Sequence, residues 1–208
     1  MKTLIILITL FLFIGCADKH KFNQTDEFWY KEVIRFIGNR DMDKADESFS
    51  SLEAEHINSP LLETATLLLI QAHIKQENYI LSNYYMNRFN TLFGTKENRS
   101  YIEYLRIKSK YLAFKRPKRD QKLIFDTLEL IEDYMIDYPN SQYLPYIETI
   151  KTNLALSQHE LNIDIIILYK KLDKPKAVEF YKQNENMSWI KESEIKQPEV
   201  SFIRSIFE

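Results

Sequence analysis

From Asp26 to Gln183 the apolar positions recur with a helical period, and the interruptions of that period divide the chain. "FWYKEVIRFIGNR" predicts a helix that breaks near Gly38. "DMDKADESFSSLEAEHIN" predicts a second, opened by acidic side chains that suit the positive end of a helix. In "SPLLETATLLLIQAHIKQ" Ser59 is a good N-cap and Pro60 a good first helical residue. Three more follow: "ENYILSNYYMNRFNTLF" up to Gly94, "NRSYIEYLRIKSKYLAF" up to Pro117, and "DQKLIFDTLELIEDYMIDY" up to Pro139. "SQYLPYIETIKTNLALSQHEL", with Ser141 as its cap, precedes the shorter "NIDIIILYKKL" and "KPKAVEFYKQ". The expected fold class is all-α, with about nine antiparallel helices and short connections.

Upstream, "MKTLIILITLFLFIG" has one charge, Lys2, and an apolar run from Leu4 to Ile14 broken by Thr9, which is the plan of a secretory signal peptide. As a helix that run rises only ~17 Å, against the roughly 30 Å a membrane span must cross. It closes on Phe13, Ile14, Gly15 and Cys16, which resembles the lipobox of bacterial lipoproteins, with Phe13 where that motif prefers Leu. The resemblance implies cleavage before Cys16 and diacylglycerol on its sulfur. A single acyl chain holds a protein marginally, whereas two or more hold it stably. Ala17, rather than Asp, follows the cysteine, and by the same resemblance this favours the outer membrane. Cys16 is the one cysteine, so the protein must fold without an intrachain disulfide.

Residues 17–25, "ADKHKFNQT", have no periodicity and read as a tether of at most ~30 Å. The expected organisation is a removed signal at 1–15, a lipidated tether at 16–25, a helical repeat region at 26–185, and a C-terminal tail or cap at 186–208. Lys and Arg number 28 and Asp and Glu 30; loss of Lys2 with the signal changes the net charge from −2 to −3. That balance gives no case for nucleic-acid binding. Glycines stand only at 15, 38 and 94, too few for a phosphate-cradling loop.

The helices pair. The breaks that close successive pairs fall at Pro60, Gly94 and Pro139, at spacings of 34 and 45 residues, and the first is that of a tetratricopeptide unit. Ala45 and Ser82 take the small position of the second helix, each followed four residues later by a bulky side chain, Phe49 and Met86. The third unit has no small residue near Ile124 and Phe125, and the loop "KRPKRDQK" explains the longer spacing. A general helical bundle is the other reading. A single pair cannot hide its apolar face, so stacked pairs share a core and form an α-solenoid whose surfaces bind peptides and proteins.

Residues 137–183, and "YPNSQY" at Tyr138 to Tyr143 most sharply, resemble the fourth-repeat region of the BamD family, lipoproteins of the outer-membrane β-barrel assembly machinery. "SNYYMNRF" and "SYIEYLRIKSKY" match earlier units more loosely, and the lipobox agrees. The resemblance implies a lipid-anchored scaffold that faces the periplasm and binds a BamA-like outer-membrane barrel protein and unfolded β-barrel precursors. After Gln183 the chain departs from that family, being shorter and interrupted by Pro198; where some members place Arg, Tyr181 and Lys182 stand. Lys174, Lys176, Tyr181 and Lys182 are the partner-binding candidates. A secretion-system scaffold or pilotin lipoprotein is the alternative.

Candidate chemistry is sparse. The four His, at 20, 56, 73 and 159, have no zinc-ligand spacing. Glu53, Glu55 and His56 read as a solvated face, and no nucleophile motif occurs, so no metal, cofactor or enzymatic activity is expected. Tyr101, Tyr104, Lys108 and Tyr111 share one helix face, with Ile102, Leu105 and Leu112 on another. Such a groove suits a peptide ending in an aromatic residue and a carboxylate; equally, the tyrosines could pack between repeats. Tyr85, Met86 and Phe89 read as core, with Tyr84 pointing away. Lys115, Arg116, Lys118, Arg119 and Lys122 form a basic loop, either solvated or steering the chain toward an acidic partner or lipid head groups. The tail, with Trp189, Phe202, Ile203, Ile206 and Phe207, either caps the solenoid or docks on a partner.

Overall fold

A computed structural model describes residues 22–114 and 120–186. Among them are eight helices and no strand: α1 (Asp26–Gly38), α2 (Met42–Glu55), α3 (Leu61–Lys75), α4 (Tyr79–Phe93), α5 (Lys96–Leu112), α6 (Gln121–Asp137), α7 (Leu144–Lys171) and α8 (Pro175–Asn186). The fold class is all-α and tetratricopeptide-like, in four helix pairs. The count is eight rather than nine because "NIDIIILYKKL" continues the preceding helix. No Gly or Pro stands between Leu161 and Ile163, so nothing stops the ladder, and Leu161 and Ile166 are both buried. Cys16, the signal segment, four of the five basic-loop cations (Lys115, Arg116, Lys118 and Arg119) and residues 187–208 lie outside the described residues.

Three of the pairs, α1–α2, α3–α4 and α7–α8, turn through three residues each, and the turns are built alike. The middle residue, Arg40, Glu77 or Asp173, is left-handed, with φ of 61°, 59° and 52°. Around it Asp41 N donates to Phe36 O, Asn78 N to His73 O, and Lys174 N to Tyr169 O, which is the six-to-one bond of a Schellman turn. The side chains of Asp41 and Asn78 then cap the next helix through Lys44 N and Leu81 N. α1 ends at Gly38, where the break is expected, and a Cβ there would meet nothing within 4 Å. Gly94 is different: its Cβ would lie 2.4 Å from Asn90 O, ahead of the Thr95–Asn98 capping box of α5. Gly38→Ala is therefore expected to stabilise by about 0.5–1 kcal/mol, and Gly94→Ala to destabilise by about 1–3 kcal/mol, both read from denaturant midpoints.

The chain divides into two compact units, residues 1–69 and 70–208. In the first, Trp29 and Val33 of α1 and Ala45, Phe49 and Leu52 of α2 are buried, so the small residue and its bulky partner take their expected places. Ser59 Oγ accepts Leu61 N and donates to Asp26 Oδ2 at 2.6 Å, tying the start of α3 to that of α1. Glu55, read as part of a solvated face, is half-buried and bonded. Its carboxylate accepts Trp29 Nε1 at 2.8 Å and the amides of Asn23 and Gln24 at 3.2 Å, while His56 Nε2 lies 2.7 Å from Gln24 O. These contacts fix the last residues of the expected tether against α2.

The indole bond, then the two amides, hold the Glu55 carboxyl below its ordinary 4.5. A depressed acid contributes stability above its unfolded pKa and loses that contribution as pH falls through the folded one. Acidification from pH 4.5 downward is expected to lower the protection of the Asn23 and Gln24 amides relative to their intrinsic exchange rates, and Glu55→Gln to remove that pH dependence. Unchanged protection factors in the acidified wild type would rule the clamp out.

In the second unit, Ser82 takes the small position of α4 with Tyr85, Met86 and Phe89 buried beside it, and Tyr84 is exposed. Ser82 Oγ reaches Ser109 Oγ of α5 at 3.3 Å. Arg106 of α5 donates to Asn83 and Asn87 of α4 and to Glu103, which in turn accepts Asn90 Nδ2. A core of Ile107, Ile131, Tyr134, Ile147, Ile150 and Leu154 joins α5, α6 and α7. In α6 the role of a small residue falls to buried Thr127, whose hydroxyl is satisfied by Leu123 O at 2.7 Å. Of the side chains on the other face of α5, Ile102 and Leu105 are buried and Leu112, at the end of the helix, is exposed. No described helix is long and apolar enough to cross a membrane.

Candidate functional site

Inside the second unit α5 and the start of α7 carry a tyrosine surface. The 3.6-residue period puts Tyr101, Tyr104 and Lys108 on one face of α5. The turn "YPNSQY" then brings Tyr143, the residue just before α7, to them. Ser141 Oγ is the centre of that turn: it lies 2.7 Å from Tyr134 Oη and 2.9 Å from Ser100 Oγ, and accepts Tyr143 N at 3.2 Å. Ser141 thus shapes the turn before α7 rather than capping it; the helix begins at Leu144, with Pro145 in its first turn and no side-chain cap.

With Tyr143 so held, its ring lies parallel to Tyr104, centroids 4.9 Å apart and planes 5° apart, and 5.3 Å from Tyr101. Tyr146 adds a fourth ring, 6.0 Å from Tyr104. Gln71 Nε2 of α3 donates to Tyr101 Oη at 2.8 Å, and Tyr79 Oη to Leu112 O at 3.0 Å, fixing the facing wall. Between these walls lies a cleft of about 590 Å3, lined by Gln71, Ile74, Lys75, Tyr101, Tyr104 and Lys108 among others. Lys108 Nζ stands 6.0 Å from the Tyr104 ring centroid, within cation–π range. Burial raises the Tyr101 and Tyr104 phenols above the usual tyrosine range, so both stay neutral hydrogen-bond donors at physiological pH.

Of the four groove candidates, three border this cleft and Tyr111 does not. Its hydroxyl accepts Asn153 Nδ2 at 3.2 Å and its ring packs on the shared core. Tyr111 therefore has the packing role between repeats. The α5 spacing could not reveal Tyr143, Tyr146, Gln71 or Lys75, which arrive from other helices. Tyr181 of α8 stacks on Tyr169 at 5.7 Å, while Lys174, Lys176 and Lys182 are exposed around it. Lys122 pairs with Asp126 at 2.8 Å in the first turn of α6, and that bond raises its ammonium pKa.

The cleft offers aromatic faces, phenol donors and ammonium groups, a chemistry that suits an aromatic side chain next to a carboxylate. Among the described residues no cluster of His, Cys, Asp and Glu is arranged to hold a metal.

Similarity to known proteins extends through most of the chain. The family model described as outer membrane lipoprotein, YfiO, matches residues 23–179, a span that contains every residue of the tyrosine cleft. The outer membrane protein assembly factor BamD of Helicobacter pylori is 37% identical over 198 residues, covering 93% of this chain and 90% of that protein. A likeness of that extent, through both compact units, makes this chain a member of the YfiO outer membrane lipoprotein family.

Proposed function

We propose that the chain is a lipid-anchored, non-enzymatic scaffold for assembly and insertion of β-barrel proteins into the outer membrane. The observation that carries this reading is its 37% identity with a BamD over 93% of the chain. Acyl chains on Cys16 hold the protein on the periplasmic face, each buried methylene contributing about 0.8 kcal/mol. The Glu55 clamp begins at Asn23, a few residues from that anchor, and keeps the helical part close to the membrane.

Unfolded barrel precursors dock by their C-terminal residues in the cleft of Tyr101, Tyr104 and Lys108, with Tyr143 and Lys75 completing it. The ring of the last side chain lies on the Tyr104–Tyr143 stack, and its carboxylate meets the lysines. The exposed Lys174, Lys176 and Lys182 around Tyr181 face a BamA-like barrel protein, and the basic segment Lys115, Arg116, Lys118 and Arg119 steers association with acidic groups. Neither role requires a cofactor.

The test is capture of a C-terminally tagged copy from membranes in mild detergent, beside Cys16→Ala. A BamA-like barrel protein in near-stoichiometric amount is expected, with Cys16→Ala lost from the membrane fraction. Capture of a secretin instead would make the chain a pilotin and overturn the assembly reading.

A further inference from the structure

A second cleft, of about 620 Å3, is lined by Lys96, Ser100, Tyr138, Asn140, Gln142 and Tyr143 among others. The start of α5 and the "YPNSQY" turn build it, so it belongs to the same unit as the tyrosine cleft. The two adjoin at the stacked pair: Tyr143 lines the second and Tyr104 the first, and their rings lie 4.9 Å apart. We propose that an extended peptide whose last residue sits in the first cleft runs along α5 into the second, which takes the residues upstream of that terminus. This rests on the reading of the first cleft as a site for chain termini, and adds to it the length of chain that is recognised.

Three observations select that path. First, Lys96, Ser100, Tyr104 and Lys108 follow one another at intervals of four residues, so they form one row along α5. Lys96 and Ser100 line the second cleft, Tyr104 and Lys108 the first. The row covers twelve residues of helix, about 18 Å, which five or six extended residues span at ~3.3 Å each. Second, the other end of the first cleft is closed by Tyr79, whose hydroxyl donates to Leu112 O at 3.0 Å; both residues line the cleft there. A chain whose carboxylate meets Lys108 therefore leaves toward Ser100. Third, the walls of the second cleft suit an extended chain. Tyr138 and Tyr143 are half-buried and offer rings to its apolar side chains, while the exposed amides of Asn140 and Gln142 offer donors and acceptors to its backbone. Gln142 Nε2 also donates to Tyr143 Oη at 3.1 Å, which ties that rim to the stacked pair.

Calorimetric titration of the full-length protein with nested peptides tests this. Each is cut from one sequence that alternates Thr and Val and ends in Phe with a free carboxylate, at three, five, eight and ten residues. The dissociation constant is expected to fall at least about tenfold from three residues to eight, as for two linked sites, and to stay level from eight to ten. Asn140→Trp, at an exposed position on the rim, fills the second cleft. It is expected to abolish that gain while leaving the affinity of the three-residue peptide within about twofold of wild type. Equal dissociation constants at three and eight residues overturn the inference and leave the docking of the terminus standing. So does a gain that persists in Asn140→Trp. An amidated eight-residue peptide lacking the Phe that binds as tightly as the complete one would make the second cleft an independent site and overturn the shared path. No binding at any length overturns the docking of the terminus itself, and this inference with it.

Discussion

Tyr134→Ala is expected to lower stability by about 3–5 kcal/mol, the range for truncating a buried aromatic side chain. Tyr134 is buried in the core that α5, α6 and α7 share, packed with Ile107, Ile131 and Ile147. Its loss leaves a cavity where the three helices meet. The hydroxyl adds a separate effect, because it lies 2.7 Å from Ser141 Oγ and 3.1 Å from Ser100 Oγ. Tyr134→Phe keeps the ring and removes that bond, at about 1–2 kcal/mol. The pair of variants separates packing from turn geometry. Urea midpoints report the first, and a fall in cleft affinity in the still-folded Tyr134→Phe reports the second, since Ser141 sets where Tyr143 stands. Equal midpoints for wild type and Tyr134→Ala would refute the core assignment.

Tyr104→Ala is expected to weaken binding of a barrel-type C-terminal peptide by at least tenfold, about 1.4 kcal/mol or more. Tyr104 stacks on Tyr143 at 4.9 Å, touches Tyr101 and Tyr146, and lies under Lys108. Its removal opens the platform on which an incoming ring would rest, and central aromatic residues are those whose truncation costs most at an interface. Tyr104→Phe should retain most of the affinity, because stacking uses the ring and not the hydroxyl. Lys108→Ala should reduce the preference for a free carboxylate over an amidated terminus and flatten the salt dependence. Calorimetric titration with free and amidated peptides measures all three. Unaltered affinity in a folded Tyr104→Ala would show that the four rings are only packing.

The positions of the helices were legible because each depends on neighbours within one or two turns. Asp41 and Ser59 act as caps near where their residue types predict, and Ala45 with Phe49 and Ser82 with Met86 are buried as their spacing predicts. The conformation of the turns within pairs was not legible. α1 ends at Gly38 as its sequence predicts, but the left-handed residue is Arg40, and Glu77 and Asp173 take the same conformation with no glycine present. A Schellman bond, repeated three times, stabilises backbone that side-chain propensity disfavours. Similarly, the long α7 runs through Asn162 because continuous burial along it outweighs the weak helix propensity of one residue.

The candidate site divides along the same line. The sequence by itself determined the signal-like leader with its single Cys16, the all-α pairing and the Tyr101–Tyr104–Lys108 face, since a leader is read by composition and a face by period. Only the tertiary structure decided which of those tyrosines border a cleft. It packed Tyr111 against the core, brought Tyr143 onto Tyr104 across 39 positions of chain, and fixed that meeting through a bond between Tyr134 and Ser141. A helical period states which side chains share a face, but what the face meets depends on how separate helices pack, and packing is settled by burial summed over the whole unit.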